Sequence, residues 1–289
     1  MDLIEGQWQI GNVKFGKGTK IPIMSVEPIG YEVSAGDRPL PMSDQIRFTK
    51  DYIQPGVMQF QMAVLDNHIL EDMLDAPVDL EALGIIPGHK LLEELKNEWL
   101  GDEARLQWGT VKPLTYRAAG YNRMVYGRPR NFASAPLKHR PGWYGITASY
   151  QLADASSYEE QFDQVTVNPT ATGVNGGSLT RDQEALSPTW LKAAIIGPIS
   201  NPTVKLGPFT VPINYVIPAG QAVELNSFPW ERRAVTSTNL NIGSKLPSDT
   251  YLEDLRIPAK ATWPVALHGG STTSATKLLV QWQEAYRAI

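Results

Sequence analysis

Met58-Gln59-Phe60-Gln61-Met62-Ala63-Val64 decides how this chain is read. Large apolar side chains alternate with Gln59, Gln61 and Ala63, the period of a half-buried pleated strand with one wet face. The same alternation returns near the other end, where Leu278, Val280 and Trp282 interleave with Leu279, Gln281 and Gln283. The whole chain holds 24 glycines and 22 prolines, enough turn-forming residues to divide it into many short strands. At 42% hydrophobic and 19% charged the chain can build a core, and 289 residues at about 150 per domain suggest two domains.

Working outward, Trp8, Ile10, Val13 and Phe15 approach a turn expected at Gly16-Lys17-Gly18, with Ile21, Ile23 and Val26 leading away. Ala35 to Pro41 reads as a polar connection, where Pro39 and Pro41 exclude a central strand. From His89 to about Arg105, Leu91, Leu92, Leu95 and Trp99 form one apolar stripe of a helix, with Glu93, Glu94 and Glu98 largely off it. Gly88 opens that helix and Gly101 ends or interrupts it. Strands are expected again at 111–126 and 144–152. Asn168 to Ser178 has the composition of a link or long loop, and the stretch 166–190 is expected to be linker-like. A domain boundary is placed between 157 and 158. The second half reads as all-β, with turns at Pro218-Ala219-Gly220 and at Gly269-Gly270, which favours a sandwich.

Chemistry is sparse. Gly11 to Gly18 has the lysine of a phosphate-binding loop, but Gly18 stands where a serine or threonine should meet magnesium, and no helix follows. A hairpin turn fits better. Neither Gly269-Gly270-Ser271 nor Gly176-Gly177-Ser178 completes a nucleophile elbow. His68, His89, His139 and His268 lack metal-ligand spacing, and there is no cysteine. Glu93, Glu94 and Glu98 read as a solvated helix face rather than as a glycosidase pair. No enzyme and no cofactor are expected. Met1 to Glu5 lacks the basic and apolar regions of a signal peptide, and the apolar run around 193–199 is too short for a bilayer. The chain is expected to be soluble as made, with no membrane partner. A net charge of −4 gives no global attraction to nucleic acid.

Charge distribution says more than net charge. Between Asp66 and Glu103 eleven acidic residues face only Lys90 and Lys96, whereas Arg117 to Arg140 holds six basic residues and no acidic one. Such segments either neutralise each other within one fold or meet between copies, where a heterologous contact closes a ring if the rotation allows. Candidate subunit-interface residues are therefore Arg123, Arg128 and Arg130 on the basic side and Glu93, Glu94 and Glu98 on the acidic side.

Four stretches, in order, resemble the distal tail proteins of siphophages, in the form common among phages of actinobacteria. They are Gly36-Asp37-Arg38-Pro39-Leu40-Pro41 with the Arg47 to Phe60 region; Tyr121-Asn122-Arg123 running into Tyr126-Gly127-Arg128-Pro129-Arg130; Gly197-Pro198-Ile199-Ser200-Asn201-Pro202-Thr203; and Leu252 to Pro258 leading to Val280-Gln281-Trp282-Gln283-Glu284-Ala285-Tyr286. The resemblance implies a mainly β fold with one or two helices: an N-terminal belt domain over 1–157 and a C-terminal galectin-like β-sandwich over 158–289. It implies a structural virion protein of the tail tip, assembled in the host cytoplasm. Its belt domains would form a homo-oligomeric, hexameric ring that adapts the tail tube to the hub or baseplate, near the tape measure and fibre proteins, with no specific nucleic acid. The alternative is a carbohydrate-binding module for adsorption to the host wall. The stretch Trp230-Glu231-Arg232-Arg233 carries a fragment of the aromatic and polar array such a site needs.

Overall fold

The alternation at 57–65 folds as a strand with Met58, Phe60, Met62 and Val64 turned inward and buried. Ala63, expected on the wet face, is buried too. It lies where the chain enters from Pro22, whose carbonyl accepts the Ala63 N–H at 3.0 Å. The computed structural model describes residues 3–27, 32–35, 38–39, 46–47, 52–65, 88–101, 105–140, 142–171 and 173–287. The fold is mainly β, and the chain divides into two compact units, Met1–Ser157 with Ala288–Ile289, and Tyr158–Arg287.

The first unit contains β1 (Gln7–Ile10), β2 (Val13–Gly16), β3 (Ile23–Glu27), β4 (Glu32–Ser34), β5 (Arg38–Pro39), β6 (Ile46–Arg47), β7 (Tyr52–Gln54) and β8 (Val57–Leu65). After helix α1 (Gly88–Leu100) come β9 (Leu114–Ala118), β10 (Tyr121–Val125), β11 (Gly127–Pro136) and β12 (Trp143–Leu152). One sheet contains the run β2-β1-β9-β10, a second runs β11-β12-β8-β3, and β4–β7 and β5–β6 are separate ribbons. The tight turn is not at Gly16-Lys17-Gly18. It falls at Gly11-Asn12, where Ile10 pairs with Val13 and Gly11 takes a φ of +53°, the left-handed geometry that a two-residue hairpin loop demands of its first residue. Consequently β3 leaves this hairpin and pairs with β8 in the other sheet.

Helix α1 stops at Leu100, with Gly101 next, and buries Leu95 and Trp99. These join Ile10, Phe15, Leu114 and Tyr116 from one sheet and Phe60, Met62, Ile146 and Tyr150 from the other in a single core. Trp99 packs on Phe15, Phe60, Phe132 and Tyr150 at centroid distances of 6.2, 5.8, 6.4 and 6.4 Å.

Strand β13 (Ser156–Glu159) spans the change from one unit to the other. The second unit holds β14 (Asp163–Val167), β15 (Gly177–Thr180), β16 (Thr189–Ile196), β17 (Ile199–Leu206), β18 (Phe209–Pro212) and β19 (Val216–Ile217). It continues with β20 (Ala222–Asn226), β21 (Arg233–Thr236), β22 (Arg256–Ile257), β23 (Thr262–Gly270), β24 (Lys277–Trp282) and β25 (Ala285–Arg287). Sheet β14-β24-β16-β20-β21 packs on sheet β15-β23-β17-β18 through one core, with Leu191, Ala193, Ile195, Leu278 and Val280 facing Val204, Leu206, Val265 and Leu267. Two facing antiparallel sheets around one core make a β-sandwich. Gly269 and Gly270 lie at the end of β23 rather than in the turn, and Gly270 pairs with Ser200.

The stretch 166–190 is not linker-like in structure. It contains the end of β14, all of β15 and the start of β16, and its glycine-rich part is tied down by Thr170 N–H to Leu267 O (2.9 Å) and Gly176 N–H to Val265 O (2.9 Å). It also supplies Arg181, fully buried, whose Nε donates to the buried Glu284 carboxylate at 2.7 Å. Arg181 Nη1 donates to the carbonyls of Ser187, Ile257 and Pro258, and Glu284 also accepts the Asp182 N–H and the Trp282 indole N–H. Two ions withdrawn from water are tolerable only with such dense hydrogen bonding.

Breaking that pair is expected to be severe. Arg181→Met leaves a buried carboxylate unpaired and should lower the stability of the second unit by about 3–5 kcal/mol in urea unfolding, and Arg181→Met with Glu284→Leu should recover most of the loss. Nearby, burial and the Glu284, Glu159 and Asp182 carboxylates raise the pKa of Asp163. Its contribution to stability is therefore fully present below the ordinary aspartate range and is lost as pH rises through the raised value. Asp163→Asn should stabilise the protein at neutral pH, and melting curves should show that gain vanish in acid.

Candidate functional site

Between α1 and the irregular segment 110–113 lies a cleft of about 820 Å³, lined by Asn12, Glu94, Asn97, Glu98, Thr110 and Lys112 among others. An irregular segment exposes carbonyls that no ladder satisfies, so side chains must supply donors. Arg128 does this twice, with Nε to Thr110 O at 2.6 Å and Nη2 to Gln107 O at 2.7 Å. The Lys112 N–H donates to Gly127 O at 2.8 Å, and the buried Tyr150 hydroxyl reaches the carbonyls of Lys112 and, at 3.2 Å, Val125. Burial holds the Tyr150 pKa well above the usual tyrosine range. Lys112 Nζ pairs with the Glu98 carboxylate and donates to the Glu98 carbonyl at 2.7 Å.

The structure thus brings Glu94 and Glu98 to one cleft, with Arg128 bracing the segment that forms its far wall. Glu93 and Glu94 lie on an exposed face, as a solvated helix surface should. Glu98 does not: it is half-buried, and it also accepts the Asn12 N–H at 3.4 Å. Arg130 is exposed on β11, beyond the buried Pro129 and beside a β-bulge. Arg123 sits on β10 with its guanidinium 5.0 Å from the Tyr121 ring centroid. Neither Arg123 nor Arg130 lines the cleft. The acidic residues at 66–81 and 102–103 lie outside the described residues.

A second cavity of about 390 Å³ opens at the other end of β1 and β9, with Trp8, Val26, Met58, Tyr116 and Val125 among its walls. Trp8 stacks on Tyr116 at 4.6 Å, and burial raises the Tyr116 pKa. At its rim, the Glu5 carboxylate accepts the N–H groups of Ala119 and Gly120, whose φ angles are both positive, and those bonds hold its pKa down. Among the described residues no group of three or more histidine, aspartate or glutamate side chains could hold a metal ion. Sequence reading missed Lys112, Tyr150 and the fully exposed Trp108. Only Trp108 had a visible signal, an indole set beside Gly109 between helix and strand.

Neither a family model nor a curated protein matches this chain. Solved structures do. The Dit protein of phage SPP1, described as a paradigm of the hub adsorption apparatus in phages infecting Gram-positive bacteria, is similar over 92% of this chain and 94% of its own, with a TM-score of 0.57 at 13% identity. The chain has the fold of a phage distal tail protein. A chain of the phage P2 baseplate in its activated conformation with calcium matches over 98% of both chains, with a TM-score of 0.56 at 10% identity. The same baseplate with strontium matches over 95% of this chain and 97% of that one, at 10% identity and a TM-score of 0.53.

On this distal tail protein fold, the polar residues around Trp230 are turned on one another. Glu231 pairs with Lys192 (2.8 Å) and accepts from the buried Asn226 (3.1 Å), while Arg232 and Arg233 pair with Glu253 and Glu224. Trp230 packs on Phe228 and Tyr158 at 5.4 and 6.2 Å.

Tyr150 gives the sharpest test of how the cleft wall is held. Tyr150→Phe keeps the packing but strips a donor from buried carbonyls, so chemical unfolding should show a loss of about 1–3 kcal/mol.

Proposed function

We propose that this chain is a structural subunit of a phage tail tip, a ring adaptor whose work is binding without turnover. In this reading residues 1–157 form a belt domain that closes with its copies into a hexameric ring, and residues 158–289 form a galectin-like sandwich outside the ring closure. One face of the ring meets the tail tube and the other receives the tail-tip hub or baseplate, close to the tape measure and fibre proteins. The protein would then reside in the virion after assembly in the host cytoplasm.

The observation that carries this reading is a fold shared end to end with SPP1 Dit and with the P2 baseplate chains, over both units and not one alone. Fold alone does not set function. In the cleft beside α1, Arg128 and Tyr150 are spent on the carbonyls of its wall, a structural use of polar groups that suits a binding protein. A carbohydrate-binding role would rest on the Trp230 region, where the polar groups already satisfy each other.

Purified protein should yield closed rings in negative-stain images and a matching multiple of the 31.9 kDa chain in native mass spectra. A strictly monomeric mass at high concentration, with no ring at this position in a tail reconstruction, would overturn the reading.

A further inference from the structure

We propose that neighbouring copies are joined by a knob and a socket: Trp108 of one copy seats in the apolar cavity formed by Trp8, Val26, Met58, Tyr116, Ala118 and Val125 of the next. This deepens the ring reading and rests on it. Trp108 is 103% exposed and Leu106 is 77% exposed, an apolar pair held in water on the segment just before β9. A bulky indole left in solvent on a loose loop would lose much of its binding energy to ordering. Here the segment is already ordered, because Arg128 clamps the carbonyls of Gln107 and Thr110 on either side of the indole. Arg128 is thus a positioning residue for the contact.

The socket fits one large side chain. Its volume of about 390 Å³ is near the floor of the range for small-molecule sites, ~300–1,000 Å³, and its walls are largely apolar. Glu27 stands at its mouth, a carboxylate able to accept the indole N–H.

The cleft end of β1 and β9 is marked by Asn12 and Pro113, and the socket end by Gly6 and Arg117. Trp108 leads into the cleft end of β9, whereas most of the socket lies toward the other end, with Val125 reaching back to pair with Leu114. Seating the knob of one copy in the socket of the next is a head-to-tail contact, which adds copies in one rotational sense and closes into a ring when the rotation allows. One indole buries only about 150–250 Å² against roughly 800 Å² per partner in a stable interface, so it acts as the central anchor with a wider rim around it.

The test compares the full-length wild type with Trp108→Ala, Trp108→Phe and a Gln107→Cys/Lys17→Cys double variant, which keeps the indole, by native mass spectrometry and sedimentation. Lys17 lines the socket rim, and the chain has no cysteine of its own, so a short bismaleimide reacts only at the engineered positions, and each single-cysteine variant serves as the control for like-with-like joining. Trp108→Ala should keep the wild-type melting curve while self-association weakens at least tenfold. Trp108→Phe should retain assembly, and the double variant should give a covalent ladder between chains. Intact rings from Trp108→Ala would sink the knob while leaving the ring reading standing. A variant that keeps its rings but no longer binds purified tail tube protein would assign Trp108 to the tube instead. A wild type that stays monomeric at high concentration would defeat both readings.

Discussion

The indole of Trp99 sits where helix α1 and both sheets of the first unit meet. Its ring touches Phe15 from one sheet and Phe60, Phe132 and Tyr150 from the other, and its N–H donates to the Ser149 carbonyl at 3.1 Å. Large aromatic groups contribute both buried area and geometric preference, so this one contact sets how the helix is rotated on the core. That rotation turns Glu94, Asn97 and Glu98 toward the cleft. Tyr150, packed against the same indole, then reaches out with its hydroxyl to the carbonyls behind the cleft wall. Core and surface are joined through two side chains.

The strands with large alternating side chains were legible because period two is a local signal. Met58, Phe60, Met62 and Val64 are buried as their spacing requires, and so are Leu278, Val280 and Trp282. Turns were less legible. Gly11-Asn12 and Gly16-Lys17-Gly18 are both plausible turns by composition, and only the pairing of Ile10 with Val13 chooses between them. Composition also misled at Asn168 to Ser178. Small polar residues look like a linker in isolation, but here they lie beside strand β23 and hydrogen-bond to it.

The charged residues show a different limit. A sequence reveals that Arg128 and Glu98 carry charge but not which way they face or what lies opposite. Arg128 meets carbonyl oxygens rather than carboxylates, because segment 107–113 has no ladder partner and its carbonyls need donors. Glu98 is drawn in by Lys112, whose position follows from how the chain leaves the helix. Arg181 stands in a stretch of linker-like composition, and its partner Glu284 lies 103 residues away. Neither spacing nor periodicity carries such a pairing.

Strand order in the sandwich has a bearing on how the protein is made. Strand β24 lies between β14 and β16, one strand in from the edge of its sheet, yet it is translated long after both. Until it arrives, β14 and β16 cannot be joined, and each keeps an open edge beside inward residues such as Val167 and Ile195. Contacts so distant in sequence close slowly, and a half-made sheet with unpaired edges invites association with other chains. The second unit therefore completes its fold only once β24 and Glu284 have been made and reach the partners already waiting for them.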